Sequence, residues 1–135
     1  MKEQDKKIKV EKLIDHLLSR GYMTLSRKYS RFLPAPPPIK GYDVDVIAKF
    51  DEPKYFTKPE RKIAIGITLT EEELNSKNLL SKLIVLTKAR SKSGRKVTLF
   101  VGVPASQILK ADMLIETLDE ETKSKIKLIP IQDEN

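Results

Sequence analysis

Apolar residues first fall into helical spacing at Ile8, Leu13, Ile14, Leu17 and Leu18, with Asp15 and Arg20 off the stripe and Gly21 after it. A stripe that returns every three or four residues and then meets glycine predicts a helix over about residues 7–20. The polar residues before it, 1–6, are expected to fray. Residues 22–33 read as extended. Pro34 and Pro36-Pro37-Pro38 then force a loop, because proline has no N–H to give a sheet. A polyproline-recognition motif is the other reading of that short run.

Tyr42–Ala48 and Lys62–Leu69 read as strands, with a polar turn between them around Asp51-Glu52-Pro53 and Lys58-Pro59. The second strand is almost continuously apolar, as expected of a strand covered on both faces. A second helix is expected over about 75–91, with Leu79, Leu80, Leu83, Ile84 and Leu86 inward. Ser93-Gly94 ends it. Val97–Val103 is a strand, a helix follows over about 105–118, and Ile126–Ile129 is a last short strand. The order is α-β-β-β-α-β-α-β. A strand–helix–strand crossover implies a parallel pair, and the strands that precede it directly imply antiparallel pairs. The expected fold class is α/β, a central mixed sheet flanked by helices, formed by residues 1–135 as one domain.

Composition narrows the chemistry. The chain has no Cys, which excludes disulfides, zinc fingers, iron–sulfur sites and thiol catalysis. His16 is its single His, so a two-His metal site within one chain is impossible. It sits mid-helix as a surface or half-buried residue, and no nucleophile-elbow motif accompanies it. No apolar run reaches the roughly 18 residues of a membrane span, and the N-terminal residues form no signal peptide, so a cytoplasmic protein without a membrane partner is expected. The abundance of Lys and Glu fits a thermophile.

The order of elements, together with certain residues, resembles the restriction-endonuclease-like, or PD-(D/E)XK, nuclease superfamily. Gly41-Tyr42-Asp43-Val44-Asp45-Val46-Ile47-Ala48 looks like that superfamily's second strand, in which an acidic residue precedes apolar ones. Glu11 stands in the first helix, where many members carry a glutamate. Val10-Glu11, Gly21-Tyr22 and Phe100-Val101-Gly102-Val103 are similar to segments of the archaeal Holliday junction resolvases, a likeness covering roughly residues 8–103. The resemblance implies phosphodiester hydrolysis by carboxylate-bound Mg²⁺, with Asp45 as metal ligand and Glu11 as a second catalytic carboxylate. It departs at the E-x-K motif, where Gly66 stands at the Glu position and Thr68 at the Lys position. Neither can replace what the motif supplies, so the resemblance implies an inactive or weakened site and no cofactor, or Mg²⁺ if activity survives.

Two readings bear on that site. A migrated carboxylate or lysine could come from Glu71, Glu72, Glu73, Lys77 or Lys82. Against it, Thr70-Glu71-Glu72-Glu73 has the spacing of a helix capping box. Asp43 reads as a flanking polar residue, and Glu11 alternatively as an exposed helix residue that pairs with Lys7.

The net charge of +7 is unevenly placed. No acid lies between Asp15 and Asp43, a stretch holding Arg20, Arg27, Lys28, Arg31 and Lys40. None lies between Glu73 and Asp112, where Lys88, Arg90, Lys92, Arg95 and Lys96 are densest. If the second helix neighbours the early strands, the stretches converge on one basic surface. Such residues contact phosphates irrespective of sequence. Tyr29 and Phe32 would either stack on exposed bases or face inward from a strand. The expected function is a catalytically degenerate nuclease-fold protein that binds nucleic acid, DNA favoured over RNA, through Arg27, Lys28, Arg31, Lys88, Arg90, Lys92, Arg95 and Lys96. An active Mg²⁺-dependent endonuclease with a remodelled site is one alternative. A protein-interaction domain, homodimeric like the resolvases it resembles, is the other.

Overall fold

The computed structural model describes residues 2–52, 60–89 and 97–132. Helix α1 spans Lys2–Ser19, starting earlier than the apolar stripe alone predicts. Its end is set by Gly21, at φ 93°. The N–H of Tyr22 reaches the carbonyl of Leu17, and that of Gly21 the carbonyl of Leu18, each at 3.0 Å. Those two bonds form the Schellman closure that a left-handed residue allows.

Strand β1 (Met23–Arg27) is shorter than the extended stretch expected over 22–33, because the chain turns at Lys28 and Tyr29. Strand β2 is Val46–Glu52 and β3 is Glu60–Thr68. The expected start of β2 at Tyr42 is therefore corrected. Ile39 and Tyr42 instead bridge a tight turn whose central residues, Lys40 and Gly41, have φ of 53° and 84°. Two successive positive-φ residues define the type I′ turn that closes a two-residue hairpin. Asp43 and Asp45 thus precede the strand.

The helix expected over 75–91 starts later, at Leu79, and a separate short helix precedes it. Helix α2 (Glu71–Leu74) is a single turn, and α3 runs Leu79–Thr87. Strand β4 is Val97–Pro104. A 3₁₀ turn (Ala105–Gln107) precedes α4 (Ile108–Glu116), and α5 (Glu120–Ser124) precedes β5 (Ile126–Ile131). The sheet order is β1-β2-β3-β4-β5. The first two pairings are antiparallel and the last two parallel, giving the expected mixed α/β sheet.

Strand alternation divides the core into two layers. Ala64 of β3 faces α1 with Val46, Ala48 and Phe100, against Val10, Leu13, Ile14 and Leu17. Ile65 and Ile67 face the other way, against Leu79, Leu83 and Leu86 of α3 and Ala111 and Ile115 of α4. Among the described residues no helix is long and apolar enough to cross a membrane.

Candidate functional site

Asp45 lies at the N-terminal entrance to β2 and is 3% exposed. Its backbone N–H donates to the carbonyl of Gly66 at 2.9 Å, one step beyond the ladder pair Val46–Gly66. That anchor aims its carboxylate across β3 at Thr68. The Thr68 backbone N–H donates to Oδ2 at 2.7 Å, and the Thr68 hydroxyl donates to the same oxygen at 3.1 Å.

A buried carboxylate needs positive charge nearby. Two lysines supply it. Lys6 Nζ from α1 is 3.2 Å from Oδ2, and Lys28 Nζ from the turn after β1 is 3.5 Å from Oδ1. Lys6 also donates to the Thr68 carbonyl at 2.9 Å, and Lys28 lies 3.6 Å from Asp43. Both ammonium-bearing side chains are about three-quarters covered, at 24% and 28% exposure. Both oxygens of Asp45 are therefore engaged by groups from three separate parts of the chain.

Lys6 went unrecognised in the sequence, although a signal was present. It lies four residues before Val10 and seven before Leu13, in phase with the buried stripe of α1. A lysine in phase with an apolar stripe is a candidate partner for a carboxylate at the edge of the core.

The other site positions are placed as follows. Gly66 is covered by α1, and a Cβ built on it would lie 3.0 Å from Leu13 Cδ2 and 3.3 Å from Val46 Cβ. At the position that the resemblance assigns to a metal-binding Glu, a side chain would press on Leu13 and Val46 from its first carbon. Thr68, at the Lys position, is the hydrogen-bond partner of Asp45. Glu11 does not pair with Lys7. It is half-exposed and lies 4.0 Å from Arg27 of β1. Asp43 projects into solvent, bridged only by Lys28.

The capping box is present: Glu73 N–H donates to Thr70 Oγ1 at 3.1 Å, and Thr70 N–H donates to Glu73 Oε1 at 3.0 Å. Glu73 is thus committed to capping the start of α2. Among the described residues no three His, Asp or Glu side chains come together as a metal site would require. The residues present do not fit a carboxylate-held Mg²⁺; the ammonium groups of Lys6 and Lys28 stand against Asp45 instead. A cleft of about 170 Å³ opens beside them, lined among others by Asp5, Lys6, Lys9, Thr70 and Glu72. It is smaller than the several hundred Å³ usual for an organic substrate.

Of the five cations densest in the second basic stretch, Lys88 alone lies among the described residues. Helix α3 packs on the sheet face opposite α1, and its C-terminal residue Lys88 acts electrostatically on Asp119, at the start of α5. Arg90, Lys92, Arg95 and Lys96 lie outside the described residues. Arg27 and Lys28 are on the α1 side, held by Glu11 and Asp45.

Tyr29 and Phe32 do not face inward. The turn they occupy is closed at its base by two hydrogen bonds, Arg27 N–H to the Pro34 carbonyl at 2.9 Å and Lys28 N–H to the Asp45 carbonyl at 3.0 Å. Ser30 Oγ accepts the N–H groups of Phe32 at 3.1 Å and Leu33 at 3.0 Å. Tyr29 holds a left-handed φ of 62°, uncommon for a bulky residue. The result is an ordered turn with Arg31 exposed and Phe32 93% exposed.

His16 is half-buried and its Nε2 has no hydrogen-bond partner. Burial, and secondarily the charge of Arg20, hold its imidazole below the ordinary histidine range. It touches neither Asp45 nor the turn in any recorded bond and belongs to the packing of α1.

No family model matches the chain, and no curated protein and no solved structure matches it either.

Proposed function

We propose that this chain is a restriction-endonuclease-like protein that no longer hydrolyses phosphodiesters and binds nucleic acid without a metal ion. The observation that carries the reading is the turn after β1. The acid-free stretch between Asp15 and Asp43 folds into an edge strand and an ordered loop that offers Arg31 and Phe32 to solvent. Two further observations support it. The sequence of pairings, antiparallel, antiparallel, then parallel after a crossover helix, suits the resemblance. At Asp45, lysines stand where the hydrolytic chemistry would call for a divalent cation.

Lys28 and Arg27 serve this function from behind the contact surface, by fixing the loop's base through Asp45 and Glu11. Arg31 is the phosphate contact. Lys88, at the C-cap of α3, and Arg90, Lys92, Arg95 and Lys96, which follow it in the sequence, supply the further phosphate contacts of this reading. Each phosphate contact raises the salt dependence of binding by about one unit of slope. Fluorescence anisotropy of a labelled oligonucleotide across a salt series tests the reading. Arg31→Ala should lower the slope by about one, and changing the five cations from Lys88 to Lys96 together should lower it further. Absence of any binding at low salt would reject it.

A second reading is favoured by Met23 and Leu25, which are exposed on edge strand β1. Apolar side chains on an unpaired edge favour association with a second copy. The ladder to β2 is irregular between Thr24 and Ser26, and a bulge there blunts the edge. Sedimentation velocity reports a monomer if the blunting prevails and a dimer if it does not.

A further inference from the structure

We infer that Phe32 is a stacking platform for an unpaired base, so that the ligand of the loop after β1 is single-stranded nucleic acid. The inference rests on the nucleic-acid reading above and narrows it.

A phenylalanine left 93% open to water contributes nothing to the fold it sits on. Its backbone is nevertheless tightly specified. Ser30 Oγ holds the N–H groups of Phe32 and Leu33, Tyr29 takes up a left-handed conformation, and the loop base is tied to Pro34 and Asp45. An ordered loop that presents an aromatic ring outward is preorganised, so little freedom is left to lose when a partner meets it.

Charge then selects the partner. The preceding residue, Arg31, is exposed and has no ion-pair partner among the described residues. No acid occurs from His16 to Tyr42, and Lys40 on the next turn is also exposed. The described acids beside the loop's base are already engaged, Asp45 and Asp43 by Lys28 and Glu11 by Arg27. An aromatic face beside an uncompensated guanidinium matches a nucleotide, whose base stacks on the ring while its phosphate meets the arginine. Paired bases keep their faces inside the helix, so a duplex offers this ring only its backbone and edges. Unpaired DNA and RNA share the chemistry required.

The test uses the absence of tryptophan in this chain. Phe32→Trp creates a single tryptophan, whose fluorescence is quenched when a base stacks on it. Binding of oligothymidylate, oligouridylate and a thymidylate·adenylate duplex is measured by anisotropy for the parent chain, Phe32→Ala and Phe32→Trp. The expected result is preference for a single strand over the duplex, with a loss of roughly tenfold for the single strand in Phe32→Ala. Duplex binding should not change, and Phe32→Trp should retain single-strand affinity with quenching. The tighter of the two single strands identifies DNA or RNA as the source. If all three polymers bind and Phe32→Ala alters none of them, stacking is overturned while the broader reading stands. If none binds, both fall. If Phe32→Ala changes only the sedimentation of the free protein, the ring faces a second copy and the inference is overturned. Because Phe32 is so exposed, its substitution leaves folding intact, which circular dichroism confirms.

Discussion

The two faces of the sheet are built on different terms. The face covered by α3 and α4 is closed with Leu, Ile, Val and Ala. The face covered by α1 begins the same way, with Val10, Leu13, Ile14 and Leu17, but ends in a carboxylate, two ammonium groups and a threonine. An apolar layer gains stability from area removed from water, whereas an ionic cluster is stable only while every member is present. The first tolerates loss in proportion to volume. The second fails by leaving a charge unpaired.

The largest effect is expected where the α1 face is tightest. Gly66→Glu puts a charged side chain into the contact between Leu13 and Val46. Overpacking and an unpaired buried charge together should remove about 4 kcal/mol or more, and urea denaturation should find little cooperative folding left. Next comes Leu86→Ala on the apolar face. Leu86 is fully buried, and its truncation should cost about 3 kcal/mol, with neighbours on α3 additive beyond contact range.

Asp45→Asn should cost about 2 kcal/mol, since the amide oxygen still accepts from Thr68 while Lys6 and Lys28 lose their counter-charge. What separates it from Leu86→Ala is coupling. Lys28→Met should be destabilising in the parent chain and much less so in Asp45→Asn, which a double-mutant cycle reads directly. Additive effects would mean that Lys28 and Asp45 do not interact. Thr70→Ala, which removes the capping hydroxyl, should cost about 1 kcal/mol in the same assay.

The smallest effect is a pH slope. His16 resists protonation in the folded chain because it is buried and near Arg20, while the unfolded chain takes up the proton near the ordinary value of 6.5. Its contribution is therefore complete above that value and is lost as the pH falls through it toward the lower native pKa. Urea midpoints measured across this window should decline toward acid in the parent chain and flatten in His16→Leu.

Much of the fold was legible because periodicity and crossover rules leave few arrangements. The apolar run Ile63–Leu69 announced a central strand, and Gly21 announced the end of α1. What escaped was set by tertiary contacts. The start of β2 moved from Tyr42 to Val46 because a hairpin of positive-φ residues, Lys40 and Gly41, intervenes. The helix expected from residue 75 begins at Leu79 because the capped turn of α2 ends at Leu74.

At the site, Asp45 was legible as a candidate, but its hydrogen bonds to Thr68 were not, since the sequence marks Thr68 only as the residue at the Lys position of the motif. Glu11 found Arg27 rather than Lys7, since a strand neighbour can outcompete a helical one. Lys6 is separated from Asp45 by 39 positions, and only the fold makes them neighbours. Local pattern left Phe32 open between stacking outward and facing inward, because an apolar residue two positions before proline reads as strand until a serine-closed turn is seen to expel it.

On the proposed reading, nucleic acid is bound without a metal, beside an aspartate already neutralised by lysines. Metal-free binding is tested most directly by titrating the protein into a labelled single-stranded oligonucleotide in EDTA and in Mg²⁺, then running the same samples on a denaturing gel. The account predicts binding in EDTA, somewhat weaker binding in Mg²⁺ through competition for phosphates, and an intact oligonucleotide in both. Binding that requires Mg²⁺, or cleavage that disappears in Asp45→Asn, would contradict it.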